Sequence, residues 1–342
     1  MKEWKDFKKG INLGGWLSQC KGNYNERHYT DFITEKDIEG IAAMGFDHVR
    51  LPIDYNVIQN EDGSLIESGF AHINRCLAQC EKNGLNVLLD LHKACGFVFD
   101  DKAYCGFFSN EKLQDHFIFL WEELSRRYGN RKNIAFELLN EVTAREFAEP
   151  WNQISSRAIR AIRKIAPETK IVLGGIFNDS VYGLTLLEPP FDENIVLTFH
   201  CYSPLVFTHQ GAGWVENMPA DFRIPYPQPA NVYADRSAKM FGDDFAGEFS
   251  PFGEKTVASE YFEAMFAPAV ELAEKYGLPL YCGEYGVIDQ ADPESTLRWF
   301  KDIHAAHEKY GISRAVWSYK EMDFGLIDPH YHEIQQALIQ LI

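Results

Sequence analysis

Short apolar runs alternate along the chain with longer stretches of helical periodicity. The runs Gly10–Leu13, His48–Ile53, Asn86–His92, Ile134–Asn140, Lys170–Gly174, Ile195–Tyr202, Leu278–Glu284 and Ala315–Tyr319 read as eight strands. Several are nearly continuous, such as Val87-Leu88-Leu89 and Ile195-Val196-Leu197, the pattern of parallel strands covered on both faces. Between them, Glu35–Met44, Ile73–Lys82, Glu111–Tyr128, Trp151–Ile165, Ser259–Tyr276 and Glu294–Tyr310 carry apolar residues at helical spacing. Most of these stop at or beside a glycine, namely Gly45, Gly84, Gly129, Gly277 and Gly311, as helix C-termini do. The repeated strand–helix–glycine order predicts an α/β protein, a (β/α)8 TIM barrel. The competing doubly wound sheet usually carries a glycine-rich phosphate loop after its first strand, and Leu13-Gly14-Gly15-Trp16 does not fit that pattern.

One stretch departs from the rhythm. Residues 203–258 hold the proline cluster Ile224-Pro225-Tyr226-Pro227-Gln228-Pro229, and a structureless loop of that length is unusual in a compact domain. They are expected to form an insertion subdomain after the sixth strand, with short helices, walling part of a cleft. The whole chain, 1–342, is then one catalytic domain, and its 342 residues suit a single large barrel.

Charge removes several functions. Lys and Arg number 33 against 50 Asp and Glu, a formal net charge of −17. Such a surface opposes nucleic acid, anionic membranes and polyanionic substrates. There is no apolar stretch of transmembrane length and no signal-peptide pattern at the N-terminus, so a cytoplasmic location is expected. The seven cysteines are an odd number without a paired C-x-x-C spacing, which suits free thiols in a reducing compartment better than disulfides or zinc. The aromatic share of 14% is high. Part of it, Trp16, Phe207, Trp214, Tyr285 and Trp317, falls near strand ends or in the insertion, where it could line a binding surface.

In such barrels chemistry sits at the carboxyl ends of the strands. There the sequence delivers Arg50, Asp90, His92, Asn140, Glu141, His200, Tyr202, Glu284 and Trp317. Glu141 and Glu284 close strands four and seven, which face each other across an eight-stranded barrel. Paired carboxylates perform glycoside hydrolysis, with retention at a separation of roughly 5–5.5 Å and inversion at roughly 6.5–9.5 Å. Arg50 ends an apolar strand and needs a buried anionic partner, for which Glu284 is suited. Tyr202 can donate to a nucleophile, Asn140 can bond a sugar hydroxyl, His92 and His200 can donate or accept, and Trp317 offers a flat face to a sugar ring.

The segments His48-Val49-Arg50-Leu51-Pro52, Leu89-Asp90-Leu91-His92, Leu138-Leu139-Asn140-Glu141, Phe199-His200-Cys201-Tyr202, Gly283-Glu284-Tyr285-Gly286 and Val316-Trp317 together resemble glycoside hydrolase family 5, the cellulase-type retaining β-glycosidases. Phe207–Trp214 and Trp317–Phe324 are similar to its compact endoglucanase branch. The resemblance implies Glu141 as acid/base and Glu284 as nucleophile. It implies substrate contacts from Arg50, His92, Asn140, His200, Tyr202 and Trp317, with Trp214 of the insertion beside them, and no metal or organic cofactor. Two positions depart from the family pattern: Val142 follows Glu141 where proline is common, and Lys93 follows His92 where some relatives carry an aromatic residue or a second histidine.

The resulting expectation is a monomeric enzyme cleaving β-1,4-glucan, either cello-oligosaccharide or mixed-linkage glucan, by double displacement. Glu141 must then hold a proton near neutral pH, its pKa raised by the charge of Glu284. Within the family, a β-mannanase or β-mannosidase and an exo-β-1,3-glucanase are the alternatives. From other classes, a metal-dependent sugar isomerase would use Glu141, Glu284, His92 and His200 as ligands, although no carboxylate-rich cluster is evident at the strand ends. A non-catalytic carbohydrate-binding barrel has no need of both glutamates.

Overall fold

A computed structural model describes residues 1–101 and 103–342 of the chain. Eight parallel strands close into a barrel in sequence order: β1 Lys9–Asn12, β2 His48–Asp54, β3 Asn86–Lys93, β4 Ile134–Glu137, β5 Ile171–Gly174, β6 Ile195–Cys201, β7 Leu280–Tyr285 and β8 Ser313–Val316. β1 pairs with both β2 and β8. The expected (β/α)8 barrel is the fold. The outer layer is led by α1 Glu35–Ala43, α2 Glu67–Lys82, α3 Glu111–Tyr128, α4 Ala148–Arg163, α6 Ser259–Tyr276 and α7 Pro293–Tyr310, with α5 Ala230–Phe241 in the long connection after β6.

Two cores follow from strand periodicity. Successive strand side chains point to opposite faces. One set, including Val49, Leu51, Val87, Leu89, Phe136 and Ile171, joins the helices in the large outer core. The other set, Leu88, Ala135, Val172, Val196, Tyr281 and Ala315, fills the floor of the barrel and is closed below by Trp4 and Phe7, whose rings stack at 4.4 Å. Two residues further along the same inward faces come Asp90, Glu137, Gly174, Thr198 and Gly283. The pleat that builds an apolar floor therefore delivers three polar side chains, Asp90, Glu137 and Thr198, and two bare glycines above it.

Several helix ends follow local chemistry. Asn110 and Asp292 cap α3 and α7 with side-chain acceptors, as N-cap residues do. Gly277 and Gly311 end α6 and α7 at φ 64° and 65°, a left-handed geometry open to glycine at little cost. Other boundaries depart from the apolar pattern. β4 leaves the ladder after Glu137, so Leu138–Glu141 form an exit loop. α2 begins at Glu67 rather than Ile73 because Gly69 lets the helix close on its neighbour: a Cβ there would lie 1.8 Å from the Val57 carbonyl oxygen.

Candidate active site

The site is organised around Arg50, wholly buried inside β2 rather than at its end as expected. Register sets Asp90 beside Pro52, and Glu137 beside Asp90. Arg50 Nε and Nη2 donate to Glu137 Oε2 and Oε1 at 2.8 and 2.9 Å, a fork-to-fork pair. Nη1 donates to Asn12 Oδ1 at 2.9 Å and to Glu284 Oε1 at 2.7 Å. Nη2 also reaches Asn140 Oδ1 at 2.8 Å and Asp90 Oδ2 at 3.0 Å. Burial works against the guanidinium charge, but Asp90, Glu137 and Glu284 together hold its pKa well above the ordinary value. The expected Arg50–Glu284 contact is present. Glu137 was not singled out in the sequence reading, because it sits inside an apolar run. Its signal is its place on the same inward face as Asp90.

Glu141 and Glu284 come together with His200 between them. One oxygen of each carboxyl and one His200 nitrogen lie within 4.8 Å of one another. The two carboxyls have different neighbours. Glu284 accepts from Arg50 and, at 2.9 Å, from the Tyr202 hydroxyl. Among the described residues Glu141 makes no contact with a Lys or Arg; Asn178 Nδ2 donates to its Oε2 at 3.3 Å, and its Oε1 lies 2.8 Å from His200 Nδ1. Burial pushes both carboxyls up to about 7. For Glu141 desolvation leads, with Asp100 and Glu137 adding to it. This corrects the expectation that the charge of Glu284 is the main cause. A contacting guanidinium and a phenol favour the ionised form of Glu284 and have no counterpart at Glu141 among the described residues.

The histidines are neutral for a shared reason. Burial drives His200 down to about 4 and His92 well below its ordinary value. His92 Nδ1 pairs with Asp90 Oδ2 at 2.7 Å, and its ring stacks on Trp317 at 5.8 Å between centroids, nearly coplanar at 4°. Gly14 makes room for that indole, since a Cβ there would meet Trp317 at 2.8 Å. Asn140 gives its oxygen to Arg50, while its Nδ2 has no hydrogen-bond partner among the described residues.

These groups open into a cleft of about 750 Å³ whose wall includes His92, Asn140, Glu141, Tyr202, Glu284 and Trp317. The connection after β6 contributes Leu205, His209, Trp214 and Val215, the loops after β1 and β3 contribute Tyr24, Phe99 and Asp100, and β3 itself ends on Lys93. Trp214 is 57% exposed, a large apolar face left in water. Three other aromatics weighed for this surface belong to the core. Trp16, Phe207 and Tyr285 are fully buried, with Trp16 Nε1 donating to the Tyr29 carbonyl and the Tyr285 hydroxyl paired with His304. Strand-end position does not separate core rings from cleft rings, because the outer core also reaches that height.

Two groups of metal-ligating side chains do form near the strand ends, contrary to the sequence reading. They are Glu137, Asp179 and His200, and Glu141, His200 and Glu284. In both, a carboxylate is already engaged by Arg50, so the charge there is matched by a guanidinium. Among the described residues no helix is long and apolar enough to cross a membrane.

A closed barrel with two carboxyls, one buried and one partly buried, facing each other in an aromatic-walled cleft defines an enzyme that cleaves glycosidic bonds. Known proteins specify the kind. The family model "Cellulase (glycosyl hydrolase family 5)" matches residues 8–323. Cellodextrinase A of Ruminococcus flavefaciens is 47% identical over 308 residues, covering 90% of this chain and 83% of that protein. Endoglucanase C of Acetivibrio thermocellus is 39% identical over 340 residues, covering 98% of each. Among solved structures, Thermotoga maritima Cel5A in complex with cellobiose superposes with a TM-score of 0.76 at 25% identity, covering 99% of this chain and 98% of that one. The chain belongs to glycosyl hydrolase family 5. It is a retaining glycoside hydrolase, and that membership sets aside the isomerase and the non-catalytic binding barrel.

Proposed function

We propose that the enzyme cleaves β-1,4-linked glucan by double displacement, with soluble cello-oligosaccharides as the main substrates. Glu284 is the nucleophile and Glu141 the acid/base. The observation that carries this reading is the asymmetry of the pair: Arg50 and Tyr202 contact Glu284 and favour its ionised form, while among the described residues Glu141 is met by Asn178 and a neutral His200. In the first step Glu284 attacks the anomeric carbon and Glu141 gives its proton to the leaving oxygen. In the second, Glu141 takes a proton from water, which displaces the sugar from Glu284. Once the glycosyl-enzyme forms, the charge of Glu284 is gone and Glu141 becomes more acidic, as its second task as base requires.

The remaining residues have supporting roles in this reading. The free Asn140 Nδ2 donates to a sugar hydroxyl beside the reacting carbon. His92, held by Asp90, and His200 orient polar contacts, and Trp317 carries a sugar face in the cleft. Residues 203–258 act as an insertion of one catalytic domain and bring Trp214 to the outer cleft. The β-1,4-glucan preference is supported by the printed activities of the cellodextrinase and endoglucanase relatives. Seven free thiols, six of them buried, support work in a reducing compartment, and the enzyme acts as a monomer.

A hydrolysis panel tests the substrate. Cello-oligosaccharides and lichenan are cleaved, while laminarin and mannan are not. Preferential release from mannan would make the enzyme a mannanase or mannosidase, and from laminarin an exo-β-1,3-glucanase. Glu284→Gln tests the mechanism: turnover is abolished on every β-glucan with the fold intact. Retention of more than a few per cent of activity would remove Glu284 from its role.

A further inference from the structure

The exit loops of β4 and β5 are laced together beneath Glu141. Glu141 itself is left-handed, φ 49°, and so are three consecutive residues of the other loop, Phe177, Asn178 and Asp179, at φ 57°, 54° and 52°. None is glycine, and non-glycine residues adopt this conformation at a cost that the surroundings must offset. Here the surroundings are specific. Phe177 N donates to the Thr143 carbonyl and Asn178 N to the Val142 carbonyl, each at 3.0 Å. Asp179 Oδ2 then accepts the Glu141 backbone N–H at 2.9 Å.

Asp179 is fully buried, and space is kept for it. A Cβ on Gly174 would lie 1.9 Å from Asp179 Oδ1. A carboxyl buried with no Lys or Arg against it among the described residues is costly, and its contacts show what offsets that cost. The same Oδ2 lies 3.8 Å from Nε2 of His200, whose Nδ1 contacts Glu141. Asp179 thus stands behind Glu141 on two sides, at its backbone and at the ring that touches its side chain.

We propose that Asp179 is a positioning residue for the proton transfers of Glu141, acting by fixing the backbone of the strained Glu141 peptide. The inference rests on Glu141 being the acid/base. Its signature is dependence on the leaving group. A misplaced acid slows departure of a poor leaving group, which needs the proton, and spares a good one, which does not. A general loss of folded enzyme slows both equally.

The test compares wild type with Asp179→Ala on phenyl β-cellobioside and on 2,4-dinitrophenyl β-cellobioside. A displacement of Glu141 by about 1 Å lowers kcat on the phenyl substrate by about a hundredfold, with KM little changed, and lowers the dinitrophenyl glycosylation rate far less. Azide, which attacks the glycosyl-enzyme without a base, forms the β-glycosyl azide and frees the Glu284 carboxylate. It restores dinitrophenyl turnover in the variant. Asp179→Asn, whose amide oxygen can accept the same N–H, recovers most of the lost phenyl activity. Equal losses on both substrates, or Asp179→Asn as impaired as Asp179→Ala, would overturn the proposal. Glu141→Ala in the same assays separates the two readings. If it lacks the leaving-group signature, the assignment of Glu141 fails; if it shows the signature and Asp179→Ala does not, only the role of Asp179 fails.

Discussion

Replacing Tyr202 with phenylalanine removes one hydroxyl and little else. That hydroxyl donates to Glu284 Oε2 at 2.9 Å. A hydrogen bond to a charged group contributes about 1.5–3 kcal/mol, and one pKa unit corresponds to about 1.4 kcal/mol. The bond favours the ionised form, so losing it raises the Glu284 pKa by roughly one to two units. Burial already holds that carboxyl at about 7, with His200 and Arg50 working against the burial. Glu284 must be ionised and Glu141 protonated for attack, so Glu284 sets the acid limb of kcat/KM and Glu141 the basic limb, as apparent values of the pair. Raising the acid limb past the basic limb leaves few molecules correctly protonated at any pH. Peak activity therefore falls roughly fourfold to thirtyfold and the optimum moves upward. The assay is a pH series of kcat/KM on an aryl β-cellobioside for both enzymes. An equal loss at every pH, with the acid limb unmoved, would refute the reasoning and place the hydroxyl's effect on the substrate.

Glu141→Gln stabilises the fold at alkaline pH. The folded-state pKa of Glu141 is raised from 4.5 to about 7, so the folded state binds this proton more tightly than the unfolded chain does. The stability it contributes is complete below about 4.5 and is lost as pH rises to about 7. Removing the charge recovers on the order of 1–3 kcal/mol at pH 8, read as a higher denaturation midpoint, and changes little at pH 4; no gain at pH 8 would contradict the burial argument. Trp214→Ala raises KM for longer cello-oligosaccharides by several-fold and leaves kcat on a short aryl glycoside unchanged, because this ring stands in the outer cleft and its loss removes apolar contact alone. A fall in kcat on the short substrate would bring Trp214 into contact with the reacting sugar.

Much of the fold was legible because parallel strands covered on both faces must be apolar throughout, and helices covered on one face must be periodic. The eight runs and six main helices follow from that requirement. Their ends did not. Leu138 and Leu139 continue an apolar run, yet regular pairing ends at Glu137 and only single backbone bonds, Leu138 N to the Val172 carbonyl and Asn140 N to the Leu91 carbonyl, tie the exit to its neighbours. Likewise Ser68-Gly69 looks unhelical in isolation, and α2 includes it because a bare α-carbon is what the Val57 carbonyl accepts there.

The site divides in the same way. The residue types at the strand ends, two glutamates among histidine, asparagine, tyrosine, arginine and tryptophan, were fixed in the chain and named the chemistry. The surroundings of each acid were not written in either glutamate. They came from contacts: Arg50 and Tyr202 reach Glu284 across the barrel, from positions 234 and 82 residues away. Glu137 and Asp179 gained their importance only when β4, β5 and β6 brought them beneath His200. Sequence alone determined the barrel, the side on which its chemistry lies and the family, because apolar period and strand-end residues are local properties. Tertiary structure decided the proton affinities, the spacing of the pair and which aromatic rings face water, because burial and charge act through space between segments distant along the chain.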